Sequence, residues 1–248
     1  MPNPLIIAHR GATQLAPENS IAAFKAAIEA GADAIEFDIH FSKDKQIIVH
    51  HDYFLGRTED GAGFIGNYSY AELQKLDIGS KFDDSFSTER IPTLKDILIL
   101  GKGKTLFEIE LRCPTLSFLK SAIEEIQQAG VESDVELTSP HIPLLVHAKK
   151  IAPYIRTGVF FDLYPTWKTK VLGQQHILDW MVLLDAQVAH LPMELLEKDF
   201  VDALHQKNFS VHGANLNEKV EIEKAIFYNV DQFSTDRLET AISICASI

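Results

Sequence analysis

The stretch Ile35-Glu36-Phe37-Asp38-Ile39-His40 alternates apolar and ionisable side chains one by one. In a β-strand alternate residues share a face, so Glu36, Asp38 and His40 lie on one side and Ile35, Phe37 and Ile39 on the other. Such a strand is apolar outside and charged inside. Burying a carboxylate pair without a counter-ion is costly, so the strand cannot sit in an ordinary hydrophobic core. The inside of a barrel that holds a cation accommodates it.

The chain has 248 residues, and about 250 is typical of one (β/α)8 barrel. Hydrophobic residues make up 46% and charged residues 23%, ample apolar material for a core. Apolar runs at 5–9, 34–40, 105–112, 134–138, 156–161, 187–191, 208–213 and 231–235 alternate with amphipathic stretches. Among the latter are Ser20 to Ala30, Leu116 to Ala129, Glu194 to Lys207 and Lys219 to Asn229. Strands separated by helices of this length build a parallel sheet, and eight of them predict an α/β fold of the TIM (β/α)8 barrel type. One segment breaks the rhythm. Residues 46–50 follow the second strand after only Ser42-Lys43-Asp44-Lys45, too short for a crossover helix, so a hairpin returns His51 toward the rim where Glu36 and Asp38 end. Residues 53–92 hold no barrel unit. Gly56, Gly61, Gly63, Gly66 and Gly79 stand there among aromatics, with a short helical patch around Tyr70 to Leu76. A segment of that length predicts a small inserted cap beside the mouth, within one barrel domain spanning 1–248.

The formal net charge of −12 argues against a nucleic-acid backbone or an anionic bilayer as the main partner, because both demand a basic surface. An acidic protein that binds phosphate must supply positive charge locally, and Arg10, Arg112 and a metal ion are the candidates. Cys113 and Cys245 form neither a CxxC pair nor a framework and read as reduced thiols. Met1-Pro2-Asn3-Pro4 runs straight into Leu5-Ile6-Ile7-Ala8 without a charged n-region, and no apolar run has transmembrane length. A cytoplasmic protein without stable membrane insertion is expected.

Ile7-Ala8-His9-Arg10-Gly11, Glu36-Phe37-Asp38 and His50-His51-Asp52 bring proton carriers, a phosphate-binding cation and carboxylates into one short N-terminal segment. That combination points to hydrolysis of a phosphodiester. A phosphodiester's negative charge repels an attacking oxygen, so a metal and an arginine must neutralise it. Arg10 offers a bidentate fork, which Glu18 can hold in place. Histidines titrate near neutrality and can exchange protons with nucleophile and leaving group. Being adjacent, His50 and His51 face opposite ways and only one enters the site.

His9-Arg10-Gly11, Pro17-Glu18-Asn19-Ser20, Glu36-Phe37-Asp38 and His51-Asp52 closely resemble the glycerophosphodiester phosphodiesterase family. Ile109-Glu110-Leu111-Arg112 and Phe233-Ser234-Thr235-Asp236 extend the resemblance over nearly the whole chain. It implies a TIM barrel with a divalent metal on Glu36, Asp38 and Glu110, and His9 and His51 as the catalytic acid–base pair. His51 is preferred to His50 because it precedes Asp52. Arg10 and Arg112 would bind the substrate phosphate, supported by Glu18 and Asn19. Three carboxylates without a cysteine suit Mg²⁺ or Ca²⁺ rather than Zn²⁺, and either ion fits.

The implied substrate is a small glycerophosphodiester, such as glycerophosphocholine or glycerophosphoethanolamine, cleaved to sn-glycerol 3-phosphate and an alcohol. Attack by water and attack by the glycerol 2-hydroxyl are both open, the second favoured by its effective molarity of about 10⁵–10⁸ M. The alternative activity is of the lysophospholipase D type, which an apolar cap bearing Phe54, Phe64, Tyr68 and Tyr70 would favour. Glu108 shares the parity of Glu110 and is expected one layer deeper, paired with an arginine, while His40 reads as a rim residue. His141, His147, His176, His190 and His205 share no spacing and read as surface or packing residues. Departures from the family pattern are Arg112 in place of lysine, no tryptophan before an asparagine in Val211-His212-Gly213-Ala214-Asn215-Leu216-Asn217, no phenylalanine in Ser139-Pro140-His141, and Arg237 in place of proline.

Overall fold

The computed structural model describes residues 3–247; Met1 and Pro2, which opened the N-terminal reading above, lie outside the described residues. The chain runs β1 (Leu5–His9), α1 (Ile21–Ala30), β2 (Ala34–Phe41), β3 (Ile47–Val49), β4 (Phe54–Leu55), β5 (Gly63–Phe64), α2 (Tyr70–Leu73), α3 (Leu94–Gly101), β6 (Leu106–Leu111) and α4 (Leu116–Ala129). It continues through β7 (Val135–Thr138), α5 (Ile142–Ile151), β8 (Arg156–Phe160), α6 (Lys170–Leu184), β9 (Val188–Leu191), α7 (Lys198–His205), β10 (Ser210–Gly213), α8 (Lys219–Tyr228), β11 (Gln232–Thr235) and α9 (Leu238–Ala246). Strands β1, β2, β6, β7, β8, β9, β10 and β11 pair in parallel in that order, and β11 returns to β1 and closes the barrel. The helices cover it outside: Phe24 of α1, Phe118 of α4, Phe200 of α7 and Leu238 of α9 join Phe37, Ile109 and Leu137 of the strands in one buried apolar core. Among the described residues no helix is long and apolar enough to cross a membrane.

Local chemistry sets the ends of these elements. Ser20 caps α1 by accepting from the Ala23 N–H at 3.1 Å, Thr115 caps α4 by accepting from the Phe118 N–H, and both helices stop at a left-handed glycine, Gly31 and Gly130. The expected continuous helix from Glu194 to Lys207 is two pieces. A 3-10 turn covers Met193–Leu195, Leu196 is extended, and α7 then begins at Lys198. That break lets Leu195 and Leu196 both reach buried positions. The strand expected from 208 starts at Ser210, because Asn208 has a left-handed φ of 62°.

The hairpin after β2 is present. β3 runs antiparallel to β2, with Ile39 opposite Val49 and Phe41 opposite Ile47. Ile47 and Val49 join the barrel core, while Ile48 faces a second small cluster with Leu55, Ile65, Leu73, Ile78 and Ile91. β3 is therefore a shim, apolar on both faces, that fixes the segment between Asp52 and Thr93 against the barrel. Interior residues fall into layers by register. Glu36 stands opposite Glu108 and Glu108 opposite Glu136; two residues nearer the mouth, Asp38 stands opposite Glu110.

Candidate active site at the barrel mouth

The C-terminal ends of β1, β2 and β6 meet at the mouth, the end where barrels of this kind carry their sites. β1 ends in His9, and the chain turns at once through Arg10 at φ 56° and Gly11 at φ 89°. The turn needs glycine: a Cβ on Gly11 would lie 2.8 Å from the Ala23 carbonyl carbon. Arg10, left-handed without being glycine, is held by its own backbone. Its N–H donates to Glu36 Oε2 at 2.9 Å and its carbonyl accepts from the Asn19 N–H at 3.0 Å. A strained residue so over-determined is characteristic of working sites.

One carboxylate oxygen each from Glu36, Asp38 and Glu110 lies within 4.8 Å of the others. Burial first, then the charges of Asp38, Glu108 and Glu110, push the Glu36 carboxyl well above its ordinary range. Burial and Asp38 raise Glu110 likewise, against the pull of Arg112. Two guanidiniums flank the acids. Arg10 Nε is 3.6 Å from Asp38 Oδ2; Arg112 pairs with Glu110 and stands 3.8 Å from Asp38 Oδ1. Asn19 donates to Asp38 Oδ2 at 3.3 Å. Three crowded oxygen donors, with no sulfur or nitrogen among them, fit a hard divalent cation.

Each histidine is aimed by a carboxylate. His9 Nδ1–H donates to Asp236 Oδ1 at 2.8 Å, leaving Nε2 as the nitrogen that faces inward, 3.9 Å from Glu36 Oε2. Asp236 is itself held by the Asn217 amide at 3.0 Å. His51 Nδ1–H donates to Asp52 Oδ1 at 2.6 Å. Arg57 joins the two halves, donating through Nε to Asp52 and through both terminal nitrogens to Glu18 at 2.6 and 2.7 Å. Glu18 also accepts from Arg10 at 3.1 Å. A continuous chain of charged hydrogen bonds thus runs from Arg10 through Glu18, Arg57 and Asp52 to His51.

His9, Arg10, Glu18, Asn19, Glu36, Asp38, Glu110 and Arg112 converge at the mouth, and His51 is tied to them through that chain. The sequence reading did not assign roles to Asp236 and Arg57. Asp236 was visible as the end of the closing strand, but its contact with His9 spans 227 positions; Arg57 lies in a loop whose path no periodicity reveals. His50, adjacent to His51, points away into the inserted segment and contacts Glu59 Oε2 at 3.1 Å. His40 is not on the rim: it is buried, its Nε2–H donates to the His51 carbonyl at 3.2 Å, and burial drives its pKa down to about 3. His141 supports the Arg112 strand end, within 3.1 Å of both the Tyr53 hydroxyl and the Arg112 carbonyl. Glu108 lies one layer deeper, as expected, but does not pair with an arginine. Its neighbours are His212 at 3.3 Å and His190 at 3.7 Å, while Arg156, at the start of β8, approaches Glu136 at 3.6 Å.

Paired imidazoles with carboxylate partners, an acidic pocket and two guanidiniums on a parallel barrel define a TIM-barrel hydrolase of phosphoric diesters. Comparison with known proteins gives the narrower group. The chain belongs to the glycerophosphoryl diester phosphodiesterase family, whose pattern matches residues 9–240. It is 31% identical over 246 residues to a glycerophosphodiester phosphodiesterase of Caldanaerobacter subterraneus, covering 97% of either chain. It is 28% identical to one of Bacillus altitudinis, over 96% of this chain and 97% of that one. A solved Oleispira antarctica phosphodiesterase in complex with the product sn-glycerol-3-phosphate superposes with a TM-score of 0.84 at 25% identity, covering 98% of this chain and 97% of that one.

Proposed function

We propose that the protein hydrolyses small glycerophosphodiesters, glycerophosphocholine and glycerophosphoethanolamine among them, to sn-glycerol 3-phosphate and the free alcohol. The observation that carries the reading is that His9 and His51 each engage a carboxylate through Nδ1, which leaves Nε2 of each for the substrate. One imidazole takes the proton of the nucleophile at Nε2, and the other gives a proton to the leaving alcohol. Arg10 and Arg112 receive the phosphoryl oxygens. Glu18 and Asn19 position them by holding the Arg10 fork and Asp38. A divalent ion, Mg²⁺ or Ca²⁺, on Glu36, Asp38 and Glu110 would supply Lewis-acid neutralisation of the phosphate charge. The nucleophile we favour is the glycerol 2-hydroxyl: its oxygen bonds to phosphorus as the alcohol oxygen leaves, and water then opens the cyclic phosphate. Normal turnover of a 2-deoxyglycerol analogue, with no cyclic phosphate in quenched samples, would exclude this route. The acidic composition and two free thiols accord with a cytoplasmic location, and we read residues 53–92 as a cap on the single barrel.

The decisive experiment measures glycerol 3-phosphate release from glycerophosphocholine after EDTA treatment and again with Mg²⁺ or Ca²⁺ restored, beside His9→Ala and Glu110→Ala. Metal-dependent release that both variants abolish is expected; undiminished release by either variant would overturn the assignment. A second reading, lysophospholipase D-type activity, is favoured by one feature, the exposed edge-to-face pair Phe54 and Phe64 on the inserted segment. Preferential choline release from lysophosphatidylcholine would select it.

A further inference from the structure

Below the acidic mouth the barrel interior contains a second cluster of ionisable groups that the reaction does not use: Glu108, Glu136, His190 and His212, all buried. Space for it comes from Gly158, whose missing side chain leaves room against His190 and Glu136. The hydrogen bonds fix where the protons are. Glu136 Oε1 accepts from His190 Nε2–H at 2.6 Å, so His190 Nδ1 is a bare lone pair. That atom is buried, has no hydrogen-bond partner among the described residues, and lies 3.7 Å from Glu108 Oε1. The Gln232 amide donates to Glu136 Oε2 and to His212 Nδ1, each at 3.2 Å, while the Ser234 hydroxyl, 3.1 Å from His212 Nε2, can accept that nitrogen's proton. In this arrangement His212 Nδ1 is also a lone pair, 3.3 Å from Glu108 Oε2, an oxygen that is likewise buried without a hydrogen-bond partner. The Ser234 N–H also faces His212 Nε2, at 3.1 Å, and favours the opposite tautomer, so the ring has two forms to choose between.

With the His212 proton on Nε2, the Nδ1 lone pairs of His190 and His212 and the Glu108 carboxylate are turned toward one another in a dry interior, an arrangement that a cation among them relieves. Donor atoms of Glu108, His190 and His212 lie within 4.8 Å of each other. We propose that these three residues form a second metal site inside the barrel, of the nitrogen-rich kind that takes Zn²⁺, distinct from the all-oxygen set at the mouth. Two nitrogens and one oxygen are an ordinary zinc set, which Mg²⁺ and Ca²⁺ disfavour. The Glu136–His190 contact is the carboxylate-to-histidine support that orients metal-bound imidazoles. A cavity of about 60 Å³, lined by Glu108, Glu136, Arg156 and Gln232 among others, opens toward the N-terminal ends of the strands and reaches the Glu108 side of the cluster. Occupied, the site would tie β6, β9 and β10 together across the barrel.

The test uses the full ¹⁵N-labelled chain, saturated with Mg²⁺ to fill oxygen-donor sites and then titrated with Zn²⁺. Metal content is counted, and ring nitrogens are followed by long-range ¹H–¹⁵N spectra. One further equivalent of Zn²⁺ is expected to shift His190 and His212 to the pattern of metal-bound Nδ1 with protonated Nε2. His190→Gln and His212→Gln should each weaken that binding by at least about tenfold, whereas Glu110→Gln should leave the shifts in place. Zn²⁺ that shifts only His9 or His51, or no ring at all, overturns the proposal. The wild-type spectra decide the matter even where a glutamine variant does not fold.

Discussion

Glu108 and Glu110 stand two residues apart on β6 and face the same interior, yet they live in different surroundings. Glu110 is at the mouth, partly open to solvent, in a triad of acids relieved only by Arg112 and Arg10. Glu108 is in the closed layer beneath, beside the Nδ1 edges of the stacked rings of His190 and His212, whose centroids are 4.0 Å apart. Burial raises the proton affinity of both; at the mouth a like charge, Asp38, is the next contributor and adds to it, whereas below His190 opposes it. One strand thus carries an acid crowded by acids at the mouth and an acid set beside imidazoles in the layer beneath. Crowded like charges destabilise a fold and persist where function requires them.

The largest expected effect breaks that comparison directly. Glu110→Gln should reduce kcat by about 10³-fold, the several kcal/mol that charge stabilisation of a phosphoryl transfer supplies. In the metal-free protein its Tm should stay level or rise, since a repelling charge is gone. Glu108→Gln should behave oppositely. Glycerophosphodiester turnover should stay within about tenfold of wild type while stability falls by about 1–3 kcal/mol, the usual result of unmatched buried polar groups. Parallel kinetics and thermal melts check both, and equal stability losses in the two variants would erase the distinction between the layers.

Next in size are the two histidines. His9→Ala and His51→Ala should each lower kcat by roughly 10²–10⁴-fold, and the double variant should lose much less than the product, because the two act as one unit. Asp236→Asn keeps the shape around His9 but removes the charge and leaves one acceptor oxygen where His9 and Asn217 each engage one, so the tautomer of His9 is no longer fixed. About 10²-fold in kcat is expected from a misplaced proton carrier, with KM little changed.

The strands were legible because their pattern is local. β1 and α4 occupy the predicted spans, 5–9 and 116–129, and the parity of Glu36, Asp38 and Glu110 put them on one interior face. What sequence hides is which interior residue meets which across the barrel. Glu108 received an arginine in the sequence reading; the barrel's closure instead brings it His190 and His212, from 82 and 104 positions away, residues without any spacing signal. Arg57 was hidden for another reason: its loop is shaped by turns and by the hydrophobic contacts of β3, neither of which has a period.

Arg57 gives the third prediction. Among the described residues it is the one side chain that bonds both to the Arg10–Glu18 pair and to the Asp52–His51 pair. Arg57→Ala should uncouple the inserted segment from β1 and lower kcat/KM by roughly tenfold, through loss of positioning and not of a reacting group. A variant with full kcat/KM would reduce the link to surface decoration, as exposed ion pairs often are.

The smallest effect concerns two acids that partners hold in place, the half-buried Asp52 just before the inserted segment and the buried Glu59 within it. Burial acts to raise Asp52, but hydrogen bonds from Arg57 and His51 outweigh it and hold the carboxyl down to about 2. Glu59 is likewise brought to about 2, with His50 and Thr58 overcoming its burial. A carboxyl whose folded pKa lies below its unfolded value binds fewer protons when folded. Its contribution is therefore complete above the ordinary carboxylate range of about 4 and is lost as pH falls toward 2. The segment should accordingly keep its contacts with the barrel down to about pH 4 and release them between roughly pH 4 and 2. Carboxyl ¹³C titrations should show Asp52 ionised well below its free value, and Arg57→Ala should move it back up. If Asp52 titrated near 4 in both proteins, the chain from Arg10 to His51 would not be a formed network, and the contrast between matched and crowded acids would hold only inside the barrel.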